Sequence, residues 1–394
     1  DAGDSAVVDA GDSGPPDAGD AGSADAAVPR LCGTGDCEPQ VIAAGWSHTC
    51  AALNDSRLVC WGRNNQGQLG REPTGEAFPR PAAVPDLSVT PSAFFPPRPD
   101  YLGAGSEHTC VVVDDDGPTM CFGANADWQV RAMGPPRSSV PLEGMRSGGR
   151  LSVGGAQACL VSAPATICWG RNDRGQLGNG GTMSPLIVSL LPLPDGSVVR
   201  DLSLGADHGC ATIMTAGIDF RVHCWGVNDL GQVGDGTNAQ RESPVPITSA
   251  GTGALVAAGH DHSCYATAAG EVLCWGPRAL GDTPHAVADL PPVDAIAAGD
   301  GFTCALSAGS VWCWGSNVYG QLGTGTTGGT AGPSRVPGID FAAQLAVGRF
   351  HVCVVEDVPG DAPARILCWG RNDHGQLGDG TTEDRASPVN VVAE

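Results

Sequence analysis

Short apolar runs separated by polar turns recur along this chain at the spacing of hairpins, not of helices. Val41-Ile42-Ala43-Ala44 leads into Gly45, His48 to Leu53 alternates in part, and Arg57 to Trp61 answers it across a turn at Asn54-Asp55-Ser56. Arg80 to Val84 forms a weaker fourth segment. Long runs of 3.6-residue period are absent, which predicts an all-β chain. Glycine supplies 58 of 394 residues, about twice the usual ~7%. That abundance suits many tight turns and would be costly inside helices.

The four segments belong to one phrase that occurs seven times: Gly-x-x-His-x-Cys, a turn, then Cys-Trp-Gly-x-Asn-x-x-Gly-Gln-Leu-Gly, clearest from Gly45 to Gly70. The second cysteine and the aromatic after it fall at Cys60/Trp61, Cys121/Phe122, Cys168/Trp169, Cys224/Trp225, Cys274/Trp275, Cys313/Trp314 and Cys368/Trp369. Successive copies lie 39 to 61 residues apart, a length that suits four short strands and their turns, as in a propeller blade. Two copies are degenerate. Asp127-Trp128-Gln129-Val130 replaces Gly-Gln-Leu-Gly in the second, and the fifth is cut short as Trp-Gly-Pro-Arg-Ala-Leu-Gly-Asp after Cys274.

This wording resembles the RCC1 repeat, in the cysteine-paired variety of secreted bacterial proteins, over about Gln40 to Glu394. The resemblance implies a seven-bladed β-propeller with four-stranded blades. The repeated Trp is a large apolar plate suited to filling the space between blades, and the Gly after it permits close backbone approach. Asn64, Gly67 and Gly70 are residue types that tolerate positive φ, and Gln68 is placed to satisfy the backbone of its turn. The N-terminal strand near Val41 to Ala44 is expected to pair with the C-terminal strand near Pro388 to Val392 in one shared blade, closing the ring and removing exposed edges.

Sixteen cysteines sort into seven repeat pairs plus Cys32 and Cys37. In Cys304-Ala-Leu-Ser-Ala-Gly-Ser-Val-Trp-Cys313, a two-residue loop at Ala308-Gly309 opposes the two sulfurs across a hairpin. The competing reading is metal, with His48, Cys50 and Cys60 as ligands. It would require seven fourth ligands, and the His is replaced by Gln157 and Phe302 in two copies. The expectation is therefore eight disulfides: Cys32–Cys37, Cys50–Cys60, Cys110–Cys121, Cys159–Cys168, Cys210–Cys224, Cys264–Cys274, Cys304–Cys313 and Cys353–Cys368. They imply an extracellular, periplasmic or bacterial cell-surface location.

Residues 1–30 form an acidic Asp/Ala/Gly tail, expected to be a disordered tether like those of surface lipoproteins, whose acylated Cys would lie upstream of Asp1. Residues 31–39 read as a Cys-stapled lead-in and 40–394 as the propeller. The net charge is −22, with 21 arginines and no lysine. An acidic body repels nucleic acid, and without lysine neither a phosphate-binding loop of the GxxxxGK type nor Schiff-base chemistry is available. No apolar run is long enough for a transmembrane helix.

Catalytic candidates dissolve on inspection. Gly11-Asp12-Ser13-Gly14 lies in the tail, Asp115 and Asp116 are hairpin-turn residues, and His262 and Cys264 of His260-Asp261-His262-Ser263-Cys264 are ordinary repeat positions. No catalytic residue, metal or cofactor is expected. The residues between Gly and the His position vary from copy to copy, and equivalent turns of a propeller share one face. Trp46, Glu107, Asp207, His260, Asp261, Asp300, Phe302, Arg349 and Phe350 are therefore the expected binding face, with Trp46, Phe302 and Phe350 as anchors and the acids favouring a basic or metal-bearing partner. A second expected docking element is the long insertion with Phe94, Phe95 and Tyr101. The chain reads as a monomeric, non-enzymatic module that binds a protein or cell-envelope partner. The alternatives are an enzyme inhibitor, since the resemblance extends to an exported seven-bladed member that blocks β-lactamases, or an enzyme with its site in the central channel.

Overall fold

The computed structural model describes residues 37–88, 101–112, 119–130, 149–162, 165–184, 189–194, 196–215, 220–248, 252–277, 280–360 and 363–392. They form seven antiparallel sheets arranged as the blades of a propeller. We letter the strands of each blade a to d from the central channel outward. Blade 1 comprises Pro39–Ala44, His48–Leu53, Arg57–Arg63 and Ala77–Ser88. Blade 2 shows three strands among the described residues, Leu102–Ala104, His108–Val112 and Thr119–Gly123. Blade 3 is Arg150–Val153, Gln157–Ser162, Ala165–Gly170 and Ser189–Leu190. Blade 4 is Val198–Leu204, His208–Met214, Arg221–Gly226 and Arg241–Pro246, and blade 5 is Gly253–Ala258, Ser263–Thr267, Val272–Gly276 and Gly281–Ala286. Blade 6 is Ala295–Ala298, Phe302–Ser307, Ser310–Ser316 and Thr330–Arg335. Blade 7 is Ala342–Val347, His351–Glu356, Arg365–Gly370 and Arg385–Asn390. The a strand begins at Pro39, so the propeller takes in the end of the 31–39 lead-in.

The b–c hairpin register opposes the paired cysteines directly, as in Cys50↔Cys60 and Cys304↔Cys313, and all seven intra-blade disulfides are formed. Cys32, and with it the eighth pair, lies outside the described residues. Each blade is thereby stapled at its centre, where the cysteines are buried and share the core with the aromatic plates.

Those plates lie between blades, as their size requires. Trp61, Trp169, Trp225, Trp275 and Trp369 are at most 1% exposed. Each indole Nε1 donates to the backbone carbonyl of the Gln in the preceding blade's Gly-Gln-Leu-Gly turn, for example Trp61 to Gln376 at 2.8 Å and Trp275 to Gln232 at 2.8 Å. The aliphatic residue of that turn packs with the same Trp, as Leu377 does with Trp61. The next Gly lies flat on the indole. A Cβ on Gly378 would stand 2.8 Å from Trp61 Nε1, and its φ of +69° also excludes ordinary side chains.

The turn holds itself in shape. Gln66 N donates to Gln68 Oε1 and Leu69 N to Asn64 Oδ1, at 2.9 and 3.0 Å. Asn64 is thus a brace and not a positive-φ residue, whereas Gly67 and Gly70 do adopt positive φ. Blade 2 keeps these bonds through Gln129 and Asn125, with Trp128 in the glycine's place at φ +64°.

Among the described residues the expected shared blade is not formed. Strand a of blade 1 pairs only with its own blade 1 neighbour, and Arg385–Asn390 pairs only with strand c of blade 7. Among the described residues every blade is contiguous in sequence, and the seam between blades 7 and 1 has the contacts of an ordinary inter-blade interface. The a strands touch their neighbours all the way round. At the top of the channel, backbone amides join each blade to the next: Trp46 to Gly105, Ser106 to Gly155, Gly155 to Gly205, Ala206 to Gly259, His260 to Gly299, Asp300 to Arg349, and Arg349 to Gly45 across the seam, at 2.9 to 3.3 Å. The outer strands are joined as well, by Gly380 N to the Pro79 carbonyl at the seam and Gly236 N to the Asp282 carbonyl elsewhere.

Candidate functional site

The turns between strands a and b lie together around one mouth of the channel, which encloses about 90 Å3 there. Strand register decides what joins them. His48 pairs with Gly62, His351 with Gly370, and the amide of the following residue bonds back to the turn, Arg63 N to Ser47 O and Arg371 N to Phe350 O. The residue after each Trp-Gly therefore stands beside the a–b turn of its own blade.

On this face the side chains of four blades form one connected stack. Trp46 meets His260 across the mouth at 5.6 Å between ring centroids. The Arg349 guanidinium lies 4.7 Å above the Trp46 ring and 4.9 Å from that of Phe350. Phe350 packs on Tyr319 at 5.1 Å, and Arg371 covers both rings at 5.6 and 5.0 Å. A recess of about 380 Å3 opens beside Trp46, walled by Arg63, Arg349, Arg371, His374 and Glu107. Each of the three arginines is paired with an acid: Arg63 with Glu107, Arg349 with Asp300 and Arg371 with Asp373.

Of the residues expected on the face, the structure brings Trp46, His260, Asp300, Arg349 and Phe350 into contact. The acids are already answered by arginine. Asp300 Oδ2 lies 2.9 Å from Arg349 Nε, Glu107 lies 3.8 Å from Arg63, and Asp207 lies 3.9 Å from Arg171. The last two follow one rule, with the Arg after Trp-Gly reaching the acid of the next blade. This weakens the case for a basic partner. His260, Asp261 and Asp300 place potential ligand atoms within 4.8 Å of one another, but Arg349 is engaged with that Asp300 carboxylate.

Phe302 does not belong to the face. It is 1% exposed and packs with Val352 and Trp369 in the core between blades 6 and 7. The reason is its position, that of the repeat His. The His ring points into the inter-blade space, where His48, His208, His262 and His351 meet a hydroxyl of the next blade: Thr109, Ser263, Thr303 and Thr49, at 2.8 to 2.9 Å. Phe302 and Val352 replace that polar pair by an apolar one. Gln157 solves the same position by donating to the Gly205 carbonyl at 3.1 Å. His108 faces Ala158, and neither of its ring nitrogens has a partner.

The hydroxyls fix the tautomer. Thr49 donates to the Gln376 carbonyl, Thr109 to Gln68 and Ser263 to Gln232, so the imidazole opposite must carry its proton on Nε2. Burial drives the pKa of His48, His208 and His351 down to about 3, and that of His108 to about 4. These are neutral structural groups, with no exposed ring nitrogen to serve as acid, base or ligand.

Tyr319, Arg63 and Arg371 lie outside the a–b turns from which the face is expected, because they come from strand c and the turn after it. The repeat register, His48 opposite Gly62, was the signal for the two arginines. Phe94 and Phe95 lie outside the described residues, and Tyr101 is half-buried against the core of blades 2 and 3.

Comparison with known proteins agrees with this architecture. The family described as "Regulator of chromosome condensation (RCC1) repeat" matches residues 41–68, 221–266, 293–321, 308–355 and 364–394. The Ultraviolet-B receptor UVR8 of Arabidopsis thaliana is 27% identical, over 90% of this chain and 81% of the receptor. The human E3 ubiquitin-protein ligase HERC2 is 27% identical over 90% of this chain, which spans only 6% of the ligase. Among solved structures, human WBSCR16 superposes with a TM-score of 0.68 at 21% identity, over 85% of this chain and 93% of that one. Prp20p of Saccharomyces cerevisiae gives 0.63 at 19%, over 78% and 80%.

Proposed function

The chain belongs to the RCC1-repeat propellers, with a disulfide in each blade, and from that premise we propose that it is an exported, non-enzymatic module that binds a protein partner through the channel-mouth face. One observation carries the reading: the Trp46–Arg349–Phe350–Tyr319–Arg371 stack on a rigid ring, beside an arginine-walled recess. Rigid aromatics and arginines are the residue types that dominate interface hot spots. The partner chemistry that fits is a protein loop placing an apolar side chain against Trp46 and a hydrogen-bonding group at the rim formed by Arg63, Arg349 and Arg371, whose charges are already balanced by Glu107, Asp300 and Asp373. Propellers of this family commonly bind proteins; the yeast relative's structure was described with its binding to Gsp1p and histones. Seven disulfides point to an oxidising, non-cytoplasmic compartment. No helix among the described residues is long and apolar enough to cross a membrane.

The reading as an enzyme inhibitor is the same face put to a particular use, with the docking loop supplied by an enzyme. The test is capture of the partner on the immobilised chain, followed by affinity measurement. Trp46→Ala with Phe350→Ala should weaken binding tenfold to a thousandfold, about 1.4 to 4 kcal/mol, with an unchanged circular dichroism spectrum. Unchanged affinity in that variant places the partner elsewhere, and turnover of any captured protein or glycan overturns the non-enzymatic reading.

A further inference from the structure

Strand d of each blade is an edge, and an edge with free amides and carbonyls is a template for another chain. In the five blades whose strand d is described on both sides of the second cysteine's partner, the strand carries a proline at one register position. The residue opposite the second Cys is Ala82, Val245, His285, Ser334 and Val389 in blades 1, 4, 5, 6 and 7. The residue before it is Pro81, Pro244, Pro284, Pro333 and Pro388, whereas the two residues ahead of the proline vary from blade to blade.

This is a position from which an amide would face out. Val391 N donates inward to the Ile366 carbonyl and Val389 pairs with Cys368, so the alternation of the strand turns the nitrogen of residue 388 to solvent. The same holds at 244, 284 and 333, where Ile247, Val287 and Val336 make the inward bond. Proline there sacrifices no bond within the blade and offers an incoming strand no donor. Two further features fall on the same stretch. In all five blades strand d is bulged against strand c between the partners of the second Cys and of the Gly two residues after it, which breaks the even ladder that an added strand would copy. The carbonyl two residues before the proline is also taken in four blades: Gly380, Gly180, Gly236 and Gly325, each from the preceding blade's connection between strands c and d, donate to Pro79, Glu242, Asp282 and Ala386 at 2.7 to 3.0 Å.

We propose that the rim of this propeller is built to refuse strand addition by a second copy of the chain. Blades set edge-outward around a ring offer a pairing site each, and a ring that accepted two partners in this way would string into open chains. Proline, bulge and occupied carbonyl together remove the template. Docking then falls to the two ends of the channel, where the chain presents side chains and not a backbone ladder. The inference concerns the rim alone and holds whether or not the Trp46–Phe350 face is the partner surface.

The test puts the amides back. In the disulfide-intact chain, Pro244→Val, Pro284→Val, Pro333→Val and Pro388→Val together restore four outward N–H groups on a residue of high strand propensity. Sedimentation velocity of the parent should be independent of concentration. The fourfold variant should self-associate at least tenfold more tightly, with the backbone amides of Arg385–Asn390 newly protected from hydrogen exchange in the associated form. The single variants Pro244→Val and Pro388→Val should shift in the same direction, and they carry the test if the fourfold variant does not fold. Variants that keep the native circular dichroism spectrum and sediment as the parent does overturn the proposal. So does association without new protection of strand d, or a parent that already self-associates through these amides.

Discussion

His351 and Thr49 are 302 positions apart in sequence and 2.9 Å apart in space, and their hydrogen bond crosses the seam where the last blade meets the first. Thr49 passes its own proton to the Gln376 carbonyl, which also accepts from Trp61. A single buried cluster of two blade 7 and two blade 1 residues therefore does at the seam what a shared strand was expected to do.

This pair should behave as a coupled unit. Thr49→Val strands the imidazole Nε2 and should cost about 1 to 3 kcal/mol, the usual penalty for an unpaired buried donor. Adding His351→Phe recreates the Phe302–Val352 pair of the neighbouring interface and should restore stability to within about 1 kcal/mol of the parent. Denaturant unfolding of the two single variants and the double variant measures the coupling. Strictly additive losses would show that the bond contributes nothing to closure.

The unpaired His108 offers the converse experiment. Ala158→Ser places a hydroxyl where blade 5 has Ser263, within reach of the His108 ring and of the Gln129 carbonyl, which already accepts from Trp169. The variant should be more stable by about 1 kcal/mol. A melting temperature below that of the parent would mean that the site has no room for the oxygen.

Acid should destabilise the ring through its histidines. An imidazole whose pKa is about 3 or 4 in the fold and about 6.5 when unfolded binds its proton first in the unfolded chain. The stability it contributes is complete above about pH 6.5 and is lost progressively as the pH falls from there towards 3 or 4. Each such His should cost about 2 kcal/mol at pH 5. His48→Gln, on the precedent of Gln157, should shrink the loss between pH 7 and pH 5 by that amount. An unchanged pH dependence in the variant would assign the acid sensitivity to other groups.

The sequence made the hairpins legible because strand register is short-range. Cys50 and Cys60 face each other once the turn at Asn54 to Ser56 is recognised, and the Trp plates follow from their size. The closure was not legible. A circular repeat has no intrinsic first strand, so Val41 to Ala44 reads equally well as the start of one blade or as the completion of another. Phe302 was misplaced for a related reason. A substitution at a repeat position looks like surface variation until the opposing residue, Val352, is known to have changed with it. Tyr319 joined the face through packing between blades 6 and 7, a contact that no local pattern encodes.

A ring whose blades share no strand has no privileged entrance. Because the 7-to-1 seam uses the same Trp-to-carbonyl, hydroxyl and backbone links as the other interfaces, new termini between any two blades, with the old ones joined, should describe the same object. Duplication or loss of one repeat likewise changes the circumference without breaking a sheet, so lineages of such chains can vary the number and order of their binding turns while leaving the hairpin chemistry untouched.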